Sequence, residues 1–307
     1  MKLLASLFLA LGFVAVAVPP ALASGARTST VTKTKAKTKT RAKAPQRRRR
    51  VTQSAAPLAA LSSSAVLIID AGTRKVLYEK NARAVMPIAS LTKLMTALVV
   101  LEGGQDLKEQ LTVTGEDVDR LKFSSSRLHV GTRLTRSAML HLALMSSENR
   151  AASALGRNYP GGTRAFVAAM NAKARALGMQ DTHYVEPTGL SSANVSSPAD
   201  LAKLVAAVER QDLIRRYSTD RNFSVRQGRR QTAYHNTNRL TANPRWKIRL
   251  QKTGYISEAG RCMVLHARVR GRPTIMVFLD AQGTASRAAD ANRVRAWLAA
   301  YRPSTHG

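Results

Sequence analysis

A single cysteine in 307 residues, Cys262, excludes an internal disulfide. It lies in the apolar run Cys262-Met263-Val264-Leu265, which reads as a buried structural thiol rather than a nucleophile. Acids are scarce, 18 Asp and Glu against 49 Lys and Arg, for a net charge of +31. That imbalance suits polyanionic surroundings without specifying one. No stretch beyond the N-terminal region is apolar and long enough to span a bilayer, so no later transmembrane anchor is expected. No internal repeat is visible, which argues against a solenoid or propeller.

The chain opens with Met1-Lys2, an apolar run from Leu3 to Val18, and Pro19-Pro20-Ala21-Leu22-Ala23. A positive start, an apolar centre and an A-x-A site predict a signal peptide over 1–23. A retained anchor is the alternative, but Gly12 and the prolines shorten the run below spanning length. The mature protein is expected in the periplasm, soluble or peripheral. Residues 24–60 read as a disordered basic linker, because they hold almost nothing to bury. Arg27 to Arg50 contain eleven Lys or Arg and no acid. Such a tail suits contact with anionic wall polymers or lipid head groups, or serves as a solvated spacer, and export argues against nucleic acid. Removing Lys2 and these eleven cations leaves +19 for residues 51–307, so the folded part is basic too.

Residues 61–307 suffice for one large domain with a substantial core. Ala65–Asp70 and Lys75–Lys80 are β-rich and joined by Ala71-Gly72-Thr73-Arg74, a hairpin signal. A helix begins near Ser90. Its apolar run Leu94–Leu101 predicts burial, and Gly103-Gly104 stops it. Helical patterns follow at 135–145, 147–156, 163–177 and 197–208, with Gly178 closing the third. Strands return at 249–253, 260–269 and 274–279, with a turn at Gly271-Arg272-Pro273. A last amphipathic helix, 286–301, carries Ala289, Val294, Trp297 and Leu298. Strands, a helical middle, strands and a helix make an α+β fold: an antiparallel sheet flanked by helices, with a helical subdomain.

Three short motifs stand out in order: Ser90-Leu91-Thr92-Lys93, Ser147-Glu148-Asn149 and Lys252-Thr253-Gly254. Each alone is weak, and an ordinary N-cap, helix cap or surface turn would explain it. Together they supply a nucleophile, a base, a proton relay and an anion clamp. Ser90 at a helix start meets free N–H groups that favour developing negative charge. Lys93 lies one turn on, beside Ser90, and a desolvated lysine crowded by cations takes the serine proton. Ser147 would relay a proton to a leaving amine, and Asn149 would hold a substrate amide. Lys252 adds positive charge, Thr253 bonds a substrate carboxylate or carbonyl, and Gly254 lets the substrate backbone approach. The N–H groups of Ser90 and Tyr255 are the candidate oxyanion hole. No metal or organic cofactor is called for.

With these motifs and the longer runs Met86–Ser90, Met139–Ala151 and Tyr184–Ser191, the chain resembles the low-molecular-mass penicillin-binding proteins. These are serine D-alanyl-D-alanine carboxypeptidases and endopeptidases, and the runs most resemble the endopeptidase branch, which cuts D-alanyl–diaminopimelate cross-bridges. The resemblance implies a β-lactamase/transpeptidase-like fold, peptidoglycan stem peptides as substrates and β-lactams as covalent inhibitors. Only 53 residues follow Gly254, so the extra C-terminal β domain and anchor of many carboxypeptidases are not expected.

Three rivals remain at this point. A β-lactamase shares the motifs but needs a base for deacylation, for which Glu186 is the candidate. A zinc peptidase could draw on His183, Glu186 and His235, although Pro187 argues against a helical presentation. A non-catalytic wall-binding module would suit the charge but has no need of the motif set.

Overall fold

The computed structural model describes residues 58–283 and 286–300. The expected signal peptide, most of the basic segment and the C-terminal residues 301–307 lie outside them. A five-stranded antiparallel sheet has the order β2-β1-β11-β10-β9. Its strands are β1 (Ser63–Asp70), β2 (Val76–Lys80), β9 (Lys247–Ile256), β10 (Gly260–Val269) and β11 (Arg272–Ala281). The N-terminal hairpin therefore joins the C-terminal strands, with β1 paired to β11 along its whole length.

The apolar run of β1 is continuous because both sheet faces are covered. Ala65 and Leu67 point to one core, Val66 and Ile68 to the other. The second core is closed by α7 (Ser286–Ala300), through Ala291, Val294, Trp297 and Leu298. Leu58 is fully buried in that core, so packing reaches at least this far toward the N-terminus. Asp290 is also buried, and Ala289 only half-buried, which rotates the buried face from the one expected. The reason is a hydrogen-bonding role: its carboxylate accepts from the Ser62 and Ser63 N–H groups and the Ser63 hydroxyl.

Helices fill the other side. They are α1 (Thr92–Glu102), α2 (Arg136–Met145), α3 (Asn149–Arg157), α4 (Gly162–Ala176), α5 (Pro198–Val208) and α6 (Asp212–Thr219). Helix α1 is buried from Thr92 through Val100, as its near-continuous apolar run predicts, and α2 to α5 surround it. Gly104 takes φ +65° just past its end. Thr135 caps α2 through the Ala138 N–H, and Gly178 follows α4 with φ +69°.

Four differences from the sequence reading bear on the site. Ser90 lies in a 3-10 turn, Ala89–Leu91, that leads into α1 rather than in the helix. Ser147 precedes α3, whose N-cap is Glu148. Lys252-Thr253-Gly254 sits inside β9, which runs on to Ile256, rather than at a strand end. Helix α6 and the hairpin β7 (Asn222–Gln227) and β8 (Arg230–His235) were not anticipated. Short two-stranded pairings complete the fold: β3 (Met86–Pro87) with β6 (Val195–Ser196), and β4 (Gln110–Thr112) with β5 (Arg133–Thr135). Among the described residues no helix is long and apolar enough to cross a membrane.

Candidate active site

The Ser90 turn is clamped from two sides. An added Cβ at Gly254 would sit 3.0 Å from the Ile88 carbonyl oxygen and 3.1 Å from the Ser90 nitrogen. One at Gly189 would sit 2.0 Å from the Ala89 carbonyl oxygen. Gly254 therefore makes room for the protein's own serine turn as well as for any substrate. Ala89 itself is held at φ +47°, strain that is tolerated because the surroundings over-determine it. Asn194, fully buried, ties this region together. Its carbonyl accepts from the Ile88 N–H, and its amide donates to the Thr92 hydroxyl and to Glu186.

Lys93 is fully buried, and its Nζ lies 2.8 Å from Ser90 Oγ, 2.8 Å from Asn149 Oδ1 and 2.6 Å from the Thr188 carbonyl oxygen. Burial pulls its pKa down to about 8, against the opposing pull of the Glu186, Glu148 and Asp119 carboxylates. Of the two expected causes, desolvation acts here, and the charges that face Lys93 are carboxylates rather than cations. The geometry suits this lysine to accept a proton from Ser90. In the neutral amine, Asn149 and Thr188 take the two N–H groups, and the lone pair is left facing the Ser90 hydroxyl.

A second dyad faces the first. Lys252 Nζ donates to Ser147 Oγ at 2.9 Å and to the Thr253 carbonyl at 2.8 Å. Burial and then the charges of Lys93 and Arg287 hold its pKa well below the ordinary lysine value. Ser147 takes φ +61°, which turns its side chain toward Lys252 while Glu148 turns away to accept from Ser126 Oγ at 2.6 Å. Asn149 links the first dyad to the loop of Ser124: its Nδ2 donates to Ser124 Oγ at 2.9 Å while its Oδ1 accepts from Lys93. Each end of its amide thus has a protein partner, and the contact with Lys93 was not foreseen for it.

Ser90, Ser147, Asn149, Thr253, Gly254 and Tyr255 all line one cleft of about 540 Å³. The two lysines lie beneath it, hydrogen-bonded to the two serines. Every residue singled out in the three motifs is thereby brought together. Sequence reasoning missed several neighbours. Thr237 shares a 2.6 Å hydrogen bond with Thr253, hydroxyl to hydroxyl, and Arg287 donates to the Gly254 carbonyl at 2.8 Å. Ser124 and Lys122 line the cleft from the loop before α2. None of these belongs to a short motif.

Glu186 has no capacity left to activate water. Its carboxylate accepts from the N–H groups of Thr188, Gly189 and Ser191, from the Thr188 hydroxyl and from Asn194. It builds the loop that presents the Thr188 carbonyl to Lys93. That engagement removes the basis for both the β-lactamase and the zinc readings at this residue. Among the described residues no three His, Cys, Asp or Glu side chains cluster as metal ligands would.

Comparison with known proteins agrees with this chemistry. Residues 50–283 match a peptidase family described as D-alanyl-D-alanine carboxypeptidase. The chain is 47% identical over 240 residues to a D-alanyl-D-alanine endopeptidase of Pseudomonas aeruginosa, covering 78% of this chain and 77% of the relative. It is 42% identical over 254 residues to the protein of the same name from Escherichia coli, covering 81% and 82%. Among solved structures, the Streptomyces K15 DD-transpeptidase superposes with a TM-score of 0.72 at 27% identity, over 78% of this chain and 98% of that one.

Proposed function

The chain belongs to the D-alanyl-D-alanine carboxypeptidase family of serine peptidases, and from that premise we propose that it is a penicillin-sensitive D,D-peptidase that opens peptidoglycan cross-links. The observation that carries the reading is the pair of serine–lysine dyads, Ser90–Lys93 and Ser147–Lys252, on one cleft. The endopeptidase preference is supported by the names of the relatives at 47% and 42% identity, each aligned over most of its length. Release of terminal D-alanine is the second reading, favoured by the description of the family as a whole. The leader 1–23 supports export to the periplasm.

Neutral Lys93 takes the Ser90 proton as Oγ bonds to the D-alanyl carbonyl carbon. The oxyanion is held by the Ser90 and Tyr255 N–H groups. When the C–N bond breaks, Ser147 gives its proton to the leaving amine and is reprotonated from Lys252, which in turn receives the proton that Lys93 took, so both lysines regain their starting states. Water then attacks the Ser90 ester, its proton passing to Lys93 and on to Ser90 Oγ as the acid leaves. A β-lactam follows the first half of this path, its ring C–N bond opening, and remains as an ester on Ser90.

Acylation needs Lys93 neutral, which fixes the sign of the pH dependence. Below about 8, the pKa to which burial draws Lys93, the neutral fraction falls about tenfold per pH unit. Penicillin acylation rates should therefore rise from pH 6 to 8 and level above. A profile flat from pH 6 to 9 would remove Lys93 as the base.

The purified mature protein is tested on a cross-linked muropeptide dimer and a pentapeptide monomer, each with and without penicillin. Penicillin-sensitive conversion of dimer to monomers is expected. Loss of terminal D-alanine alone would make it a carboxypeptidase, and no cleavage of either would overturn the reading.

A further inference from the structure

Among the described residues the three most exposed large apolar side chains are Phe123 (83%), Leu121 (64%) and Tyr255 (56%). Tyr255 lines the catalytic cleft from β9, and Leu121 and Phe123 flank Lys122, which lines it with Ser124 from the opposite lip. Scattered exposed apolar residues need no explanation, but a cluster at the mouth of a cleft does. Lys122 also forms an ion pair with Glu258, in the turn between β9 and β10. The lip thus combines apolar surface with one cation and one anion.

The loop is built to hold this arrangement. The Asp119 carboxylate accepts from the N–H groups of Leu121, Lys122 and Ser124 and from the Ser124 hydroxyl. Phe123 is fixed at φ +54°, a conformation rare for a bulky residue, so that Ser124 faces Asn149 while the ring faces solvent. Keeping an aromatic ring in water by means of a strained backbone makes sense where something binds to it.

The direction of β9 says which part of a substrate reaches the lip. The leaving group lies toward Ser147 and Lys252, which supply its proton. The acyl donor then extends the other way, past Tyr255 toward Ser257 and Glu258. Resting on the D,D-peptidase reading above, we propose that Lys122, Glu258, Leu121, Phe123 and Tyr255 form a subsite for the diaminopimelate residue of the donor stem. Its side chain is an aliphatic arm ending in an ammonium and a carboxylate. The arm lies on the apolar side chains, its carboxylate pairs with Lys122 and its ammonium with Glu258. An exposed ion pair contributes little to a free protein, so exchanging its partners for those of a zwitterion costs little. The exchange preserves charge balance on both sides.

The test uses donor peptides that share one scissile bond and carry diaminopimelate, lysine or norleucine before the D-alanine. Wild type should favour diaminopimelate over norleucine by about tenfold in kcat/KM, the value of one good charge-assisted contact. Lys122→Met should bring diaminopimelate down to the level of lysine, which lacks the carboxylate. Glu258→Gln should erase the advantage of lysine over norleucine. A wild type without preference, or variants that slow all three peptides equally, would overturn the subsite and leave the loop a structural role. The same ratios are read as affinities on Ser90→Ala protein. A chain that binds with this preference but cleaves nothing would fail the proposed reaction and keep the subsite. Equal affinities would fail the subsite alone.

Discussion

Ser90→Ala is expected to abolish both hydrolysis of D-alanyl peptides and covalent uptake of penicillin. Loss of a covalent nucleophile costs about a million-fold in kcat in serine peptidases of unrelated fold. The same order is expected here, because Lys93, Asn149 and the Thr188 carbonyl are arranged around this one hydroxyl. The measurement is intact-protein mass after incubation with penicillin, beside turnover of a muropeptide dimer. Wild type should gain one penicilloyl group and the variant none. The thermal midpoint should barely move, since Ser90 is half-buried and its hydroxyl is not a structural prop. A labelled variant would place the ester elsewhere, and Ser147 would be the first residue to examine. Lys93→Met makes a useful companion. It keeps the unbranched side chain as far as Cε and removes the base, so the nucleophile should remain in place and react slowly.

What the sequence reveals and what it hides divide along a physical line. Ser90 and Lys93 are legible because a base must stand one turn from its nucleophile, which forces a three-residue spacing. Ser147 and Asn149 are legible because two neighbouring side chains must enter one cleft. The β1–β2 hairpin, the buried α1 and the three C-terminal strands follow from apolar periodicity. The partners that tune the site act mostly through the backbone. Thr188 offers Lys93 a carbonyl, which any residue would carry, and Glu186 acts by binding N–H groups in its own loop. Asn194 touches Ile88, Thr92 and Glu186 at once, contacts that exist only after folding. The hairpin of β7 and β8 escaped notice because its strands are half-exposed and rich in Arg and Gln, with Val225 and Tyr234 as their buried residues. The contact of Asn149 with Lys93 escaped notice for a related reason. An amide suits a substrate peptide, and it equally suits the buried lysine beside it.

Gly189→Ala carries the second large effect, at a residue that never touches the chemistry. Gly189 has φ +82°, and a methyl group there would stand 2.0 Å from the Ala89 carbonyl oxygen, 2.4 Å from its carbon and 2.8 Å from the Ser90 nitrogen. All three atoms are backbone, so no side chain can swing aside. Either the serine turn or the loop from Glu186 to Ser191 must move. The loop supplies the Thr188 carbonyl to Lys93, and the turn supplies the nucleophile and an oxyanion N–H. A displacement of about 1 Å at such groups costs on the order of a hundredfold in rate. The variant should therefore acylate with penicillin about a hundredfold more slowly than wild type, which stopped-flow quench and mass spectrometry would read. The control is Gly131→Ala. Gly131 has a nearly equal φ of +87°, with nothing within 4 Å of the added carbon. It shares the backbone strain of about 1–2 kcal/mol but not the collision. Both variants should lose thermal stability, and only Gly189→Ala should lose acylation. Equal acylation rates in the two would mean that the loop yields without disturbing the serine, and that the Thr188 carbonyl is dispensable to Lys93.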